Sequence, residues 1–412
     1  MSLIQPFRGL RPTAGNAAAV AAPPYDVLSS EEARQMVHGA ASQPWSFLHI
    51  SKPEIDLPPA TDVYSPAVYA KAAENLEKML TAGILARDEA PCYYAYRLTM
   101  GEHVQTGLVA AAAVAAYDAN RIKKHEFTRP DKEDDRVRQI EALNAQTGPV
   151  LLAYPAAAAA DALLAQASAG APDADVTAPD GIRHTLWVVR DAALITAITA
   201  AFDAMPALYI ADGHHRSAAA SRVAAARRQP GREQASDYFL AVIFPHHEMK
   251  IMDYNRVVKD LNGLTESEFL AQVAQRYTVT PSSERVHPVA PGECGLYLPR
   301  RWFRIAIKAE LIPTQDPVAR LDVSLLSDHL LGPVLGIADL RRDKRIDFVG
   351  GIRGLRELEK RVDSGEMAAA FAMHATSMAD LIAVADAGQV MPPKSTWFEP
   401  KLADGLVSHV ID

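Results

Sequence analysis

Apolar and polar positions change period several times along this chain, and each change marks an element. Residues 65 to 83, containing VYAKAAENLEKML, repeat apolar positions at helical spacing and predict a helix. CYYAYRLTM and QTGLVAAAAV read as extended runs on either side of GEH, which predicts a β-hairpin. VLLAY, HTLWVV and ALYIA read as buried strands, and DAALITAITAAF as a helix capped by Asp191. Upstream, the prolines of VAAPPYDV favour extended backbone, and SSEE then reads as a serine-capped helix start. In IKKHEFTRPDKEDDRVRQIEAL the first half reads as loop, broken at Pro130, and the second as a charged amphipathic helix. Residues 155 to 182, rich in alanine, proline and aspartate, divide between helix and connection.

Strands alternating with helices place the chain in the α/β or mixed α+β class, with a mixed β-sheet and flanking helices. After Pro245 the character changes. DYNRVVKDL, SEFLAQVAQRY, CGLYLP and RWFRIAI predict a second, smaller α+β lobe. The expected organisation is a main lobe over 1–245, a smaller lobe over 246–375, and a C-terminal segment over 376–412 that packs back on the main lobe. No internal repeat is visible.

Composition narrows the picture. The chain has 412 residues, 49% of them hydrophobic, enough for a sizeable core and more than one lobe. A formal net charge of −8 argues against a general nucleic-acid surface. The two cysteines, Cys92 and Cys294, form no CxxC pattern, so neither a structural zinc site nor a disulfide framework is expected. The N-terminus lacks a long apolar core segment, and no run of about 18 apolar residues reads as a membrane span. The expectation is a soluble, cytoplasmic protein with no membrane or nucleic-acid partner.

Four stretches carry candidate chemistry. In LYIADGHHRSAAASR, residues 208–222, a strand gives way to a helix at Asp212-Gly213-His214-His215-Arg216. Exposed N–H groups and the positive end of the helix dipole favour an anion there. Gly213 lets backbone approach a ligand closely, and Arg216 offers a two-pronged donor to phosphate. KKHEFT, residues 123–128, sets His125 and Glu126 beside two lysines, a pattern that suits a general base, a metal ligand or a partner for a substrate amine. MPPKSTWFEPK, residues 391–401, holds Lys394, Ser395 and Thr396 on a proline-framed backbone, without the glycines of a P-loop. PPYDV places Tyr25 and Asp26 at the end of an extended piece, as pocket lining or as a turn. Asp212 with the adjacent histidines could also bind a metal, but neighbouring helical side chains point about 100° apart and rarely share one ion.

Together, IQPFRGLRP with APPYDV, KKHEFT before an acidic-basic helix, LYIADGHHR, LLGPVLGI and GQVMPPKSTWFEPKLADGL resemble domain of unknown function family 1015, from residue 4 to residue 407. Some members of that family resemble nucleotide-dependent kinases of free L-serine, related to ParB and sulfiredoxin domains that hold phosphate at a helix start. The resemblance therefore implies a ParB/sulfiredoxin-like element in the fold. The chain departs from the family pattern after Arg216, where Ser217 stands in place of a bulky residue.

The resemblance and the residues together imply a phosphotransferase using ATP or ADP with Mg²⁺ to convert free L-serine to O-phospho-L-serine. Gly213, His214, His215 and Arg216 would bind phosphate, and Lys394, Ser395 and Thr396 would close over it. Glu126 would be the general base, with Asp212 as competitor and His125 orienting Glu126 or touching phosphate. Two alternatives stay open: a nucleotide-binding regulatory module without transfer, and a metal-dependent hydrolase.

Overall fold

The structure, a computed structural model, describes residues 2–40 and 42–412. The chain divides into two compact units, Met1–Met249 with Pro400–Asp412, and Lys250–Glu399. The C-terminal stretch from 376 is therefore split between the two. Its part up to Glu399 falls in the second unit because Trp397–Glu399 pairs antiparallel with Lys250–Met252.

The first unit is built on a nine-stranded mixed sheet. Its strands are β1 (Ile4–Gln5), β2 (Tyr93–Met100), β3 (His103–Ala113), β4 (Ile122–Lys123), β5 (Val150–Tyr154), β6 (Ala174–Thr177), β7 (Arg183–Val189), β8 (Leu208–Asp212) and β9 (Tyr238–Pro245). They lie in the order β4-β8-β5-β9-β3-β2-β7-β6, with β1 on β3. The β4–β8 and β5–β9 pairs are parallel, and the others antiparallel. Strands β2 and β3 form the expected hairpin: Met100 pairs with His103 across a turn at Gly101, whose φ of 59° suits glycine. VLLAY and YFLAVIFP are buried on both faces, as their unbroken apolar runs require.

The unit's helices are α1 (Ser30–His38), α2 (Leu48–Ser51), α3 (Pro66–Thr81), α4 (Pro130–Leu143), α5 (Ala158–Ala167), α6 (Ala192–Asp203) and α7 (His214–Arg227); α5, α6 and α7 pack on this sheet, whereas α1, α2 and α3 share a second core with Leu10, Leu85 and Ala145. Local chemistry sets their starts. Ser29 and Glu32 close a capping box on α1, and Asp191 accepts from the Leu194 N–H on α6. Pro130 is the first residue of α4, where its missing N–H costs no bond. A four-stranded sheet, Leu85–Arg87, Gly9–Pro12, Ser408–Val410 and Ala145–Gln146, draws both chain ends into this unit.

The second unit carries a six-stranded antiparallel sheet in the order Tyr277–Ser282, Arg301–Ile307, Glu293–Leu298, Ala369–Met373, Tyr254–Val258, Ile346–Gly350. Leu355, Leu358 and Val362 of helix Leu355–Asp363 bury one face against it. The whole is thus mixed α+β with mixed sheets. Among the described residues, no helix is long and apolar enough to cross a membrane.

Leu152, fully buried in β5, sits in the core of the first unit. Leu152→Ala is expected to lower that unit's unfolding free energy by about 2–5 kcal/mol, read as a shift of the urea midpoint at unchanged slope.

Candidate functional site

Two sequence-distant motifs meet because their strands run side by side in the same direction. In the parallel β4–β8 pair, Ile122 faces Leu208 and Lys123 faces Tyr209. KKHEFT and DGHHR therefore leave the sheet at the same edge, the carboxyl ends where α/β folds place ligands. Strand β5 is antiparallel to β8, so Gly148 and Pro149, just before it, lie at this edge too. A bulge between Ile210 and Asp212 shifts the register, so that Asp212 stands opposite Leu151.

Gly213 joins β8 to α7 with φ 98° and ψ 26°. A side chain there would be strained, and its Cβ would lie 3.1 Å from Arg216 Nε and 3.3 Å from the Val150 Cα. The Gly213 N–H donates to Asp212 Oδ1 at 2.9 Å, and its carbonyl accepts from Arg216 and Ser217 N–H. The first N–H groups of α7, at His214 and His215, precede any intrahelical acceptor. Ser217 is fully buried, and its hydroxyl donates to the His214 carbonyl at 3.0 Å.

Arg216 folds back over this glycine. Its Nη1 donates to the Pro149 carbonyl, and its Nη2 lies 3.1 Å from Asp212 Oδ2 and 3.9 Å from Asp26 Oδ2. Burial lowers its proton affinity, but Asp212, Asp26, Tyr25 and Asp404 outweigh that, so its pKa is raised. Burial pushes Asp212 up, yet Arg216, Lys401 and His214 bring its pKa down to about 2.

The histidines take definite proton positions. The His125 N–H donates to His214 Nε2 at 3.3 Å, and the Arg129 N–H donates to His215 Nε2 at 3.0 Å. Both Nε2 atoms accept, so the neutral rings carry their protons on Nδ1. His214 Nδ1 faces Glu126 Oε2 at 3.6 Å. Burial, then His125, holds the His214 pKa well below the usual range, so the ring is neutral. The His125 ring is fully buried, edge-on to His214 at 4.5 Å between centroids. His214, rather than His125, is thus the ring beside Glu126. The lysines of KKHEFT lie over aromatic faces: Lys124 Nζ is 3.9 Å from the Tyr117 centroid and Lys123 Nζ 5.9 Å from that of Tyr209.

Other residues complete this corner. Asp404, near the chain's end, is bridged through its backbone to Ala22, and its Oδ2 accepts from the Tyr25 N–H at 3.3 Å. Gly405 beside it has φ 89°, and a Cβ there would meet the Phe47 ring at 2.6 Å. The Arg136 guanidinium, on α4, stacks 4.0 Å over the Tyr25 ring. Tyr25, Arg136, Arg216, Asp404 and Ser51 line a cavity of about 30 Å³. That is room for a water or two, and the buried Ser51 Oγ has no hydrogen-bond partner there. APPYDV is therefore pocket lining. Lys394, Ser395 and Thr396 belong to the second unit. There the Lys394 carbonyl accepts from Arg256 Nη2 at 2.9 Å, and the Ser395 hydroxyl donates to the Pro392 carbonyl at 2.6 Å.

Two predictions follow from these contacts. Gly213→Ala should destabilise the first unit by about 1–3 kcal/mol, measured by urea unfolding. The second concerns Asp404, whose carboxyl is pushed up to about 7 by burial, against the pull of Arg216. Between its ordinary value of 3.8 and about 7, the folded protein keeps a proton that the unfolded chain releases. Stability from this group is therefore lost as pH rises through that window. His125, lowered to about 4 by burial, acts with the opposite sign: its contribution is lost as pH falls from 6.5 to about 4. Comparison with Asp404→Asn cancels the His125 effect. The variant's advantage over wild type should grow by a few kcal/mol from about pH 4 to about pH 7 and vanish below. Parallel stability–pH curves would contradict this.

No curated protein matches the chain. Among solved structures it is similar to a free serine kinase in complex with AMP, at 15% identity and TM-score 0.37, over 73% of this chain and 92% of that one. It is also similar to a conserved hypothetical protein from Pyrococcus furiosus, at 15% identity and TM-score 0.35, over 73% and 95%. A third likeness is to SbnI with a C-terminal truncation from Staphylococcus aureus, at 10% identity and TM-score 0.36, over 72% and 85%. No residue role follows from likeness at this level. The sequence pattern described as "Protein of unknown function (DUF1015)" matches residues 4–324, most of the chain, and the chain belongs to that family.

Proposed function

We propose that the corner around Gly213 is the transfer site of a nucleotide-dependent phosphotransferase. Its acceptor would be the hydroxyl of a small metabolite, free L-serine, and its donor ATP or ADP. One observation carries this reading: a carboxylate, Glu126, lies 3.6 Å from His214 Nδ1 at the start of a glycine-initiated helix. A base and an anion-binding terminus thus adjoin. Phosphoryl transfer needs little more from a protein than positioned phosphates, neutralised charge and an aligned hydroxyl.

The proton positions favour particular roles. Glu126, about one-third exposed, is the general base on the acceptor hydroxyl. Asp212 is a poor base, because a carboxyl held at about 2 has little affinity for a proton near neutral pH. His214, neutral and with its Nδ1–H toward Glu126, is a positioning residue. The opening N–H groups of α7 receive a phosphate oxygen, and Arg216 fixes the backbone that presents them. Lys401, whose charge acts on Asp212, adds positive potential on the same side. Mg²⁺ would enter with the nucleotide. Asp26 and Asp212, with 43% and 41% of their side-chain surface exposed, offer it hard oxygen donors. Bound there, it would neutralise phosphate charge.

The test is incubation of the folded protein with ATP or ADP, Mg²⁺ and L-serine, with phosphoserine read by ³¹P NMR. Glu126→Gln should lower kcat by roughly 10²–10⁴-fold and leave the nucleotide Kd unchanged. Nucleotide binding with no product from any hydroxy amino acid would replace this reading with that of a nucleotide-sensing module.

A further inference from the structure

A second cluster of chemistry-bearing side chains lies in the helical segment between β1 and β2. His38 is the last residue of α1, His49 sits in α2, and Asp56 ends the short turn Pro53–Asp56. His49 Nδ1 lies 3.0 and 2.8 Å from the two Asp56 oxygens, and His38 Nε2 lies 3.0 Å from Asp56 Oδ1. One ligand atom from each residue falls within 4.8 Å of the others.

The proton inventory around His49 does not close by itself. On its far side, His49 Nε2 is 3.2 Å from the Gln43 carbonyl oxygen. A carbonyl only accepts, so that nitrogen carries the hydrogen. In a neutral imidazole, Nδ1 then presents a lone pair, and it presents it to a carboxylate that also only accepts. Something positive must stand between them, either a second proton or a metal ion.

The surroundings suit the metal. Asn75 Nδ2 donates to Asp56 Oδ2 at 2.8 Å and to the His49 carbonyl at 2.7 Å, fixing the carboxylate and the helix that bear the ligands. The contact from Gln43 does the same for the ring of His49, as second partners of metal-bound histidines do. The His49 and Asp56 side chains are only 12% and 10% exposed, whereas His38 is 45% exposed, so the cluster is walled on one side and open on the other. Two imidazoles and a carboxylate with one open position match the donor set of zinc centres that keep a water. Zinc bond lengths of about 2.0–2.2 Å set tetrahedral ligand atoms roughly 3.4 Å apart. Both histidine nitrogens stand 3.0 Å from Asp56 Oδ1, a few tenths of an ångström short of that spacing, and they lie within 4.8 Å of each other.

We propose that His38, His49 and Asp56 form a binding site for a divalent transition-metal ion of the zinc type, through His38 Nε2, His49 Nδ1 and an Asp56 oxygen, with a fourth position open to water. This site stands apart from the phosphotransferase reading and does not depend on it.

The experiment is titration of the chelator-treated full-length chain with Zn²⁺ against a chromophoric chelator, and with Co²⁺ followed by visible absorption. One equivalent should bind, with a tetrahedral cobalt spectrum. Asp56→Asn and His49→Gln should weaken binding by more than about 100-fold, a larger loss than removal of outer partners causes. His38→Ala alters a half-exposed residue at a helix end. It should keep the fold, checked by circular dichroism, and still lose affinity by at least about tenfold. Failure of the wild-type chain to bind zinc would overturn the proposal. So would zinc affinity unchanged in folded His38→Ala, or a ¹⁵N spectrum in the presence of one equivalent of zinc that shows His49 doubly protonated.

Discussion

A single buried guanidinium organises the candidate site. Arg216 has only 11% of its side chain exposed, and a charge so placed is costly unless acceptors surround it. Its partners come from four places in the chain: Asp26 near the start, Pro149 ahead of β5, Asp212 at the end of β8, and Asp404 near the C-terminus, which acts on it through charge. Each segment is thereby tied to the start of α7. The two glycines at the corner make the arrangement sterically possible, since a Cβ on Gly148 or Gly213 would press within 3.3 Å of the arginine side chain.

That cluster also sorts the protons. Asp212 stays ionised beside Arg216, while Asp404, more deeply buried, is held near the boundary between its two forms. His125 and His214 are kept neutral by burial, and Glu126 remains at the rim beside a ring N–H. Acidic groups pushed into distinct states within one small region are the usual arrangement where proton transfer and anion binding occur together. The parallel pairing of β4 with β8 brings Glu126 and His214 together at one edge of the sheet.

Much of this was legible in the sequence. Long apolar runs and clear punctuation located VLLAY, HTLWVV, ALYIA, the Gly101 hairpin and the caps at Ser29 and Asp191, because these signals are local. Asp-Gly-His-His-Arg marked the strand–helix junction for the same reason. What sequence reading missed is what depends on distance. Arg136, Asp404 and Lys401 reach the corner only through tertiary packing, and no spacing announces them. Histidine roles were equally hidden, since two backbone N–H groups from a separate loop decide which ring nitrogen accepts. The lysines of KKHEFT read as charge for a ligand but rest against tyrosines. His38, His49 and Asp56 are separated by ten and six residues, too far apart to read as a motif. The division at Glu399 followed from a strand pairing of three residues that composition does not reveal.

The most direct measurement of the central claim is a ¹H–¹⁵N titration of the labelled protein with ATP and Mg²⁺, following the amides of residues 213–217. The His214 and His215 N–H signals should shift saturably and furthest, as amides that receive a phosphate oxygen do. Saturable shifts elsewhere, with those two amides unmoved, would contradict it.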